Sequence, residues 1–158
     1  MDVHRSALVS HPAGRMFRLI EAAEDYPAFL PWCAGATILE RSDELVRARL
    51  DVAWRGLRFS FVTRNPKRAP TWMSIGLEEG PFRRFHGEWQ LTPLAAWGCR
   101  IDFRLGYEFD TAVLGALAHP VFDHAADTLV DAFVQRADTL PPDGEAPSTD
   151  PKPQGELP

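Results

Sequence analysis

Cysteine is scarce: Cys33 and Cys99 are the only two in 158 residues. They lie 66 positions apart, without the close spacing of metal ligands, and a fold of this size that depended on disulfides would carry more of them. Both read as buried thiols. No apolar run approaches the roughly 18 residues that a membrane-spanning helix needs. The start, MDVHRSALVS, has no apolar stretch behind a basic one, so no secretory leader is expected. Neither glycine-rich phosphate pattern, G-x-G-x-x-G or G-x-x-x-x-G-K, occurs, and no nucleotide cofactor is indicated. His119 and His124 bracket Asp123, but five positions on a helix point the two rings to different faces, so no metal site is expected there.

What is present suits one domain. Apolar residues make up 45% of the chain, with 10 Phe, 5 Trp and 2 Tyr, enough to fill a core of this size. Residues 1–140 form the expected domain. Residues 141–158 hold six prolines and no aromatic residue, so ordering them gains too little burial to offset the entropy lost, and they read as a disordered tail. Four acids against one lysine give that tail −3 of the formal −5, which leaves the body near neutral at −2. Charge is nevertheless uneven. Arg47, Arg49, Arg55, Arg58, Arg64, Lys67 and Arg68 stand against the single acid Asp51 between residues 47 and 68.

The periodicities give an order of elements. Val3 to Val9 suits a strand, and Pro12 then opens a helix whose apolar positions Ala13, Met16, Phe17 and Ile20 recur at helical spacing until Tyr26 precedes Pro27. A short aromatic segment follows, from Tyr26 to Cys33. Period two begins near residue 36: Val46, Ala48, Leu50, Val52 and Trp54 alternate with polar neighbours, and Gly56 turns the chain. Phe59, Phe61 and Thr63 share the next dry face, with a loop expected from Pro66 to Pro70. Met73, Ile75 and Leu77 make a third strand; Phe85, Gly87, Trp89 and Leu91 make a fourth, with a turn expected at 93–98. Cys99 to Phe109 then alternates cleanly between a wet and a dry face. From about residue 111 to 138, Leu114, Leu117, Val121, Ala125, Leu129 and Phe133 form a helical stripe that Pro120 should kink or divide.

Consecutive hairpins followed by one long helix describe an α+β fold. One amphipathic helix is too narrow to cover the dry face of six or seven strands, so the antiparallel sheet should curl around it and leave a cavity between them. That cavity is the functional candidate.

Several segments, in this order, also resemble a known family: Tyr26-Pro-Ala-Phe-Leu-Pro-Trp-Cys33, Thr63-Arg-Asn65, Gly80-Pro-Phe82 followed by Gly87-Glu-Trp89, and Cys99-Arg-Ile-Asp-Phe103. Together they look like the coenzyme Q-binding START-like family, over about residues 3–139. That family includes mitochondrial coenzyme Q-binding proteins and bacterial RatA-type proteins named as ribosome association toxins. The resemblance implies a helix-grip (START-like, SRPBCC) fold whose interior binds ubiquinone or a related lipid as a carried ligand, with no cofactor, in support of respiration. It also implies a cytoplasmic protein with at most peripheral contact at the inner membrane. Arg83 departs from the lysine common in such proteins, and the tail lies outside the pattern.

Three functions follow from these residues. In the first, a non-catalytic carrier, ligand contacts come from Leu50, Val52, Trp54, Phe59, Phe61, Thr63, Met73, Ile75, Phe85, Trp89, Phe103 and Tyr107 on the strands and Leu117, Val121 and Leu129 on the helix, with Thr63 or Tyr107 donating to a quinone carbonyl. The same alternation is also the ordinary signature of a filled core. Tyr26, Phe29 and Trp32 form either a lid or a plug at the sheet's open end. In the second, Arg47, Arg49, Arg58, Arg64, Lys67 and Arg68 form a basic patch for the ribosome, although solvated strand faces are often basic and no DNA partner is expected. The third, catalysis, is disfavoured by strand phase: Asp51, Glu88, Asp102 and Glu108 face away from the aromatics, and Thr63, Tyr107, Cys33 and Cys99 lack an activating base at a readable spacing.

Overall fold

The structure is a computed structural model that describes residues 2–110 and 118–141. Seven strands form one antiparallel sheet: β1 (Asp2–Val9), β2 (Cys33–Arg41), β3 (Leu45–Trp54), β4 (Leu57–Arg68), β5 (Trp72–Glu79), β6 (Phe82–Ala95) and β7 (Gly98–Phe109). Their order is β1-β7-β6-β5-β4-β3-β2, so β2 to β7 run as a meander and β1 closes back onto the last strand. α1 (Ala13–Glu21) and a 3₁₀ helix (Ala23–Ala28) are inserted between the edge strands β1 and β2, while α2 (Ala118–Asp127) and α3 (Leu129–Thr139) follow β7.

The strand phases follow from side-chain alternation. Cys99, Ile101, Phe103, Leu105, Tyr107 and Phe109 are all buried on β7, as are Val46, Ala48, Leu50 and Val52 on β3. The β3–β4 hairpin turns through Arg55 and Gly56, both at positive φ (53° and 83°), between the paired Trp54 and Leu57. That is the geometry a two-residue loop needs to match strand twist. Gly80, at φ 151°, is required by packing as well: a Cβ there would meet the Phe61 Cβ at 2.6 Å.

Four boundaries differ from those the sequence predicts. β4 continues through Pro66 to Arg68, because Pro66 pairs with Leu45 and the next amide, Lys67 N–H, donates to Glu44 O (2.9 Å). β6 likewise runs past Pro93, which sits opposite Cys99. α1 ends at Glu21, and the 3₁₀ helix that follows contains Pro27 instead of stopping before it. Pro120 lies within α2 without ending it; among the described residues the C-terminal helix divides at Thr128, whose hydroxyl donates to the carbonyls of His124 (2.9 Å) and Ala125 (3.3 Å). Leu114 and Leu117 lie outside the described residues, as does the tail beyond Pro141.

Carboxylates on the outer surface are held in the charged form. The Arg41 guanidinium holds Glu24 below the usual range through bonds of 2.7 and 2.8 Å; the Ser60 hydroxyl does so for Asp51, and Ser6 for Asp102. A carboxylate whose folded value is lowered stabilises the fold above its ordinary range and stops doing so as pH falls through the folded value. Urea midpoints should therefore stay level from pH 7 to 5 and drop below about pH 4. A level profile down to pH 3 would contradict these contacts.

Candidate functional site

The helices do not fill the concave side of the sheet. Between them lies a cavity of about 80 Å³. Val46, Ala48 and Leu50 of β3, Phe61, Thr63 and Asn65 of β4, and Met73 and Ile75 of β5 form one wall; Phe85 and Trp89 of β6 and Phe103 and Leu105 of β7 continue it. The opposite wall comes from Ile20 and Glu21 of α1, Ala23, Tyr26 and Trp32 around the 3₁₀ helix, Phe122, Ala125 and Ala126 of α2, and Leu129 and Phe133 of α3. A water takes roughly 30 Å³ of liquid, and pockets for drug-sized ligands run roughly 300–1,000 Å³. The void therefore has room for one small apolar fragment, and a long chain requires the wall to move.

Aromatic contacts join the 3₁₀ segment, α3 and the sheet at one side of the wall. Phe133 meets Tyr26, Phe29 and Trp89 edge-on, with ring centroids 5.4, 5.2 and 5.4 Å away. Tyr26 and Trp32 line the cavity, whereas Phe29 sits behind them, half-buried, under the Arg136 guanidinium (5.2 Å to the ring centroid). The Tyr26 hydroxyl is tied to the Ile20 carbonyl and burial pushes its pKa up, so it stays neutral.

The inner row of β4 changes character along its length. Phe59 and Phe61 are followed by Thr63, Asn65 and Lys67. Thr63 is 3% exposed and lines the cavity. The Asn65 Oδ1 is buried with no partner among the described residues. Lys67 Nζ is ion-paired with Glu21, its side chain only 7% exposed. Lys67 thus leaves the predicted basic patch: it points beneath α1, because it shares the strand parity of Thr63.

Other predicted contacts fall outside the lining. Val52 is buried opposite Cys33 and Phe59. Phe59 joins Phe61, Phe82, Phe109 and Phe122 in an aromatic cluster that closes one end of the interior. Trp54 lies beyond that cluster, beside the His124 ring (centroids 5.7 Å apart) and under Arg55. Tyr107 is fully buried but its hydroxyl donates to Asp123 Oδ1, so it is not the donor to a ligand that the strand phase suggests; burial pushes the Asp123 carboxyl up. Leu117 and the Val121 side chain lie outside the described residues. Conversely, Ile20 and Glu21 of α1 and Ala23 of the 3₁₀ helix line the cavity although their segment reads as ordinary core packing, and so does Asn65, between Arg64 of the predicted basic patch and Pro66 of the expected loop.

On the convex face Arg47 and Arg64 are directly paired across β3 and β4, with Arg49 one inward pair away. The cluster is neutralised only in part. Arg47 bonds Glu78 through both Nε (2.9 Å) and Nη2 (2.5 Å) and reaches Glu40 at 3.5 Å; Arg49 pairs with Asp51 at 3.1 Å. Arg58, Arg64 and Arg68 have no salt bridge within the described residues, and Arg68 lies over the Trp72 ring.

Neither cysteine is set up as a nucleophile. Burial pushes the Cys33 thiol up to about 11 and raises Cys99 as well. A thiol reagent at pH 8 should label neither in the native protein and both after denaturation; rapid native labelling would mean that the interior is open.

The chain matches the model of the polyketide cyclase / dehydrase and lipid transport family over residues 9–134. It is similar to the ribosome association toxin RatA of Pseudomonas aeruginosa, 41% identical over 138 residues that span 87% of this chain and 96% of the relative. It is also similar to the mitochondrial coenzyme Q-binding protein coq10 of Schizosaccharomyces pombe, 25% identical with 84% of each chain covered. Among solved structures, a START superfamily protein from Mycobacterium smegmatis superposes with a TM-score of 0.73 at 22% identity, covering 89% of this chain and 99% of the other.

Proposed function

Because this chain belongs to the polyketide cyclase / dehydrase and lipid transport family, we propose that its cavity binds the apolar part of an isoprenoid quinone or related lipid, which the protein carries without transforming. The observation that carries this reading is the mostly apolar cavity between the sheet and the helices. Burial at about 0.8 kcal/mol per CH₂ supplies about 4 kcal/mol for one five-carbon prenyl unit. The name of the Schizosaccharomyces pombe relative supports a quinone as the ligand. Transport without chemistry is supported by the wall, whose one acid, Glu21, is paired with Lys67; the two thiols lie outside the lining and burial raises the pKa of both. Residues 1–140 act in this reading as the ligand-binding domain.

The protein, purified from its own organism and extracted with organic solvent, should release a prenylated lipid detectable by mass spectrometry. Repeated extracts free of any lipid, together with no uptake from quinone-loaded vesicles, would overturn the carrier.

A second reading, binding to ribosomal subunits, is favoured by the name of the Pseudomonas aeruginosa relative. Arg58 and Arg64, which make no salt bridge within the described residues, are its best contacts. Under this reading the protein co-sediments with a subunit, and reversing both charges to Glu abolishes the association; sedimentation alone at the top of the gradient would remove it.

A further inference from the structure

We propose that Thr63, Asn65 and the Glu21–Lys67 pair form a head-group subsite that takes an uncharged head bearing a free hydroxyl, so that a ring ligand is held in its hydroxylated, reduced form in preference to the carbonyl form. This rests on the cavity being a lipid site and adds the orientation and chemistry of what it holds. The inner row of β4 runs from aromatic (Phe59, Phe61) to hydrogen-bonding (Thr63, Asn65) to charged (Lys67) along one face. A ligand with an apolar tail and a polar head is matched by that gradient in one direction only, head toward Asn65 and tail among Phe61, Phe85 and the apolar helix residues.

Three features select the head. Glu21 and Lys67 neutralise each other, so neither is available to a charged group such as a fatty-acid carboxylate without breaking a mostly buried ion pair. Thr63 lines the cavity, and a hydroxyl can both donate and accept. The Asn65 Oδ1 is a buried acceptor with no donor among the described residues. A carbonyl head brings only lone pairs and leaves that oxygen unsatisfied. A hydroxyl head gives its proton to Asn65 Oδ1 and accepts from Thr63. Satisfying the orphaned acceptor should favour the hydroxyl form by about tenfold in affinity.

The test uses the whole chain and three ligands with the same one- or two-unit prenyl tail: a hydroquinone kept reduced under nitrogen, its quinone, and its dimethyl ether. Calorimetric titration should give the hydroquinone an affinity about tenfold above both others. In Asn65→Leu and Thr63→Val the three affinities should converge on that of the ether, with the tail's contribution kept. Asn65→Leu should not melt lower than wild type, since it removes a buried group that lacks a partner. Equal affinity for all three ligands in the wild-type protein would overturn the head-group assignment and leave the cavity reading standing. No saturable binding of any of them would overturn both.

Discussion

Phe133→Ala is expected to lower the free energy of unfolding by about 3–5 kcal/mol. Phe133 is 1% exposed and is the ring through which α3 touches both the sheet, at Trp89, and the segment that closes the interior, at Tyr26 and Phe29. Truncating it removes the transfer energy of a buried ring and enlarges a void that already exists, so the surroundings have little scope to collapse onto the lost volume. Chemical denaturation is the check. A loss under about 1 kcal/mol would mean that the closing segment is held by something other than this ring. Because Phe133 also walls the cavity, the variant should take up a longer prenyl chain faster than the wild type, provided it is studied well below its lowered melting temperature.

Arg15→Met should cost about 2–4 kcal/mol. Arg15 is an anomaly on the apolar side of α1, only 7% exposed. Its guanidinium donates to the carbonyls of Ala137 (2.7 Å), Leu140 (3.0 Å) and Pro141 (2.8 Å), so it caps the C-terminal end of α3, where free carbonyls and the helix dipole both favour a cation. Methionine keeps the packing of the stem, removes the donor to the Leu140 and Pro141 carbonyls and leaves the Ala137 carbonyl only the Leu140 N–H at 3.4 Å. Lysine should restore part of the loss, since it keeps the charge but not the fork. Hydrogen exchange in the last turn of α3 should rise in step with the loss of stability; exchange confined to wild-type rates would show that the cap is dispensable.

Most of the architecture was legible because period-two alternation reports a half-buried strand directly. Cys99 to Phe109 and Val46 to Val52 have the burial pattern their spacing implies, and the meander follows from the turns between such strands. The boundaries were harder where a tertiary partner overrides a local signal. Pro66 and Pro93 look like strand ends, yet each sits opposite a residue of the neighbouring strand and the ladder resumes beyond it. Thr128 gives no sequence signal as strong as Pro120, but the described helix divides there.

Legibility of the site was partial for a different reason. Alternation tells which face of a strand is dry and says nothing of how far along the strand the void extends. Leu50, Phe61, Met73, Trp89 and Phe103 line the cavity, while Val52, Phe59 and Tyr107, on the same inner faces, pack instead toward the closed aromatic end. Lys67 shows the limit of composition: counted with the arginines it suggests a basic surface, but its parity with Thr63 carries it inward to Glu21. Parity, carried on from Thr63 through Pro66, would have found both Asn65 and Lys67.

The central claim is that the 80 Å³ cavity is where ligand goes. Ala48 lines it and is 2% exposed, so the three carbons added by Ala48→Leu project into the void. Titrating wild type and Ala48→Leu with a short prenylated ring compound, followed through the cavity tryptophans Trp32 and Trp89, is the most direct test. The prediction is a saturable change of emission in the wild type that is lost in the variant, with the variant's melting temperature unchanged or raised. Equal binding by both proteins would place the ligand elsewhere and contradict the claim.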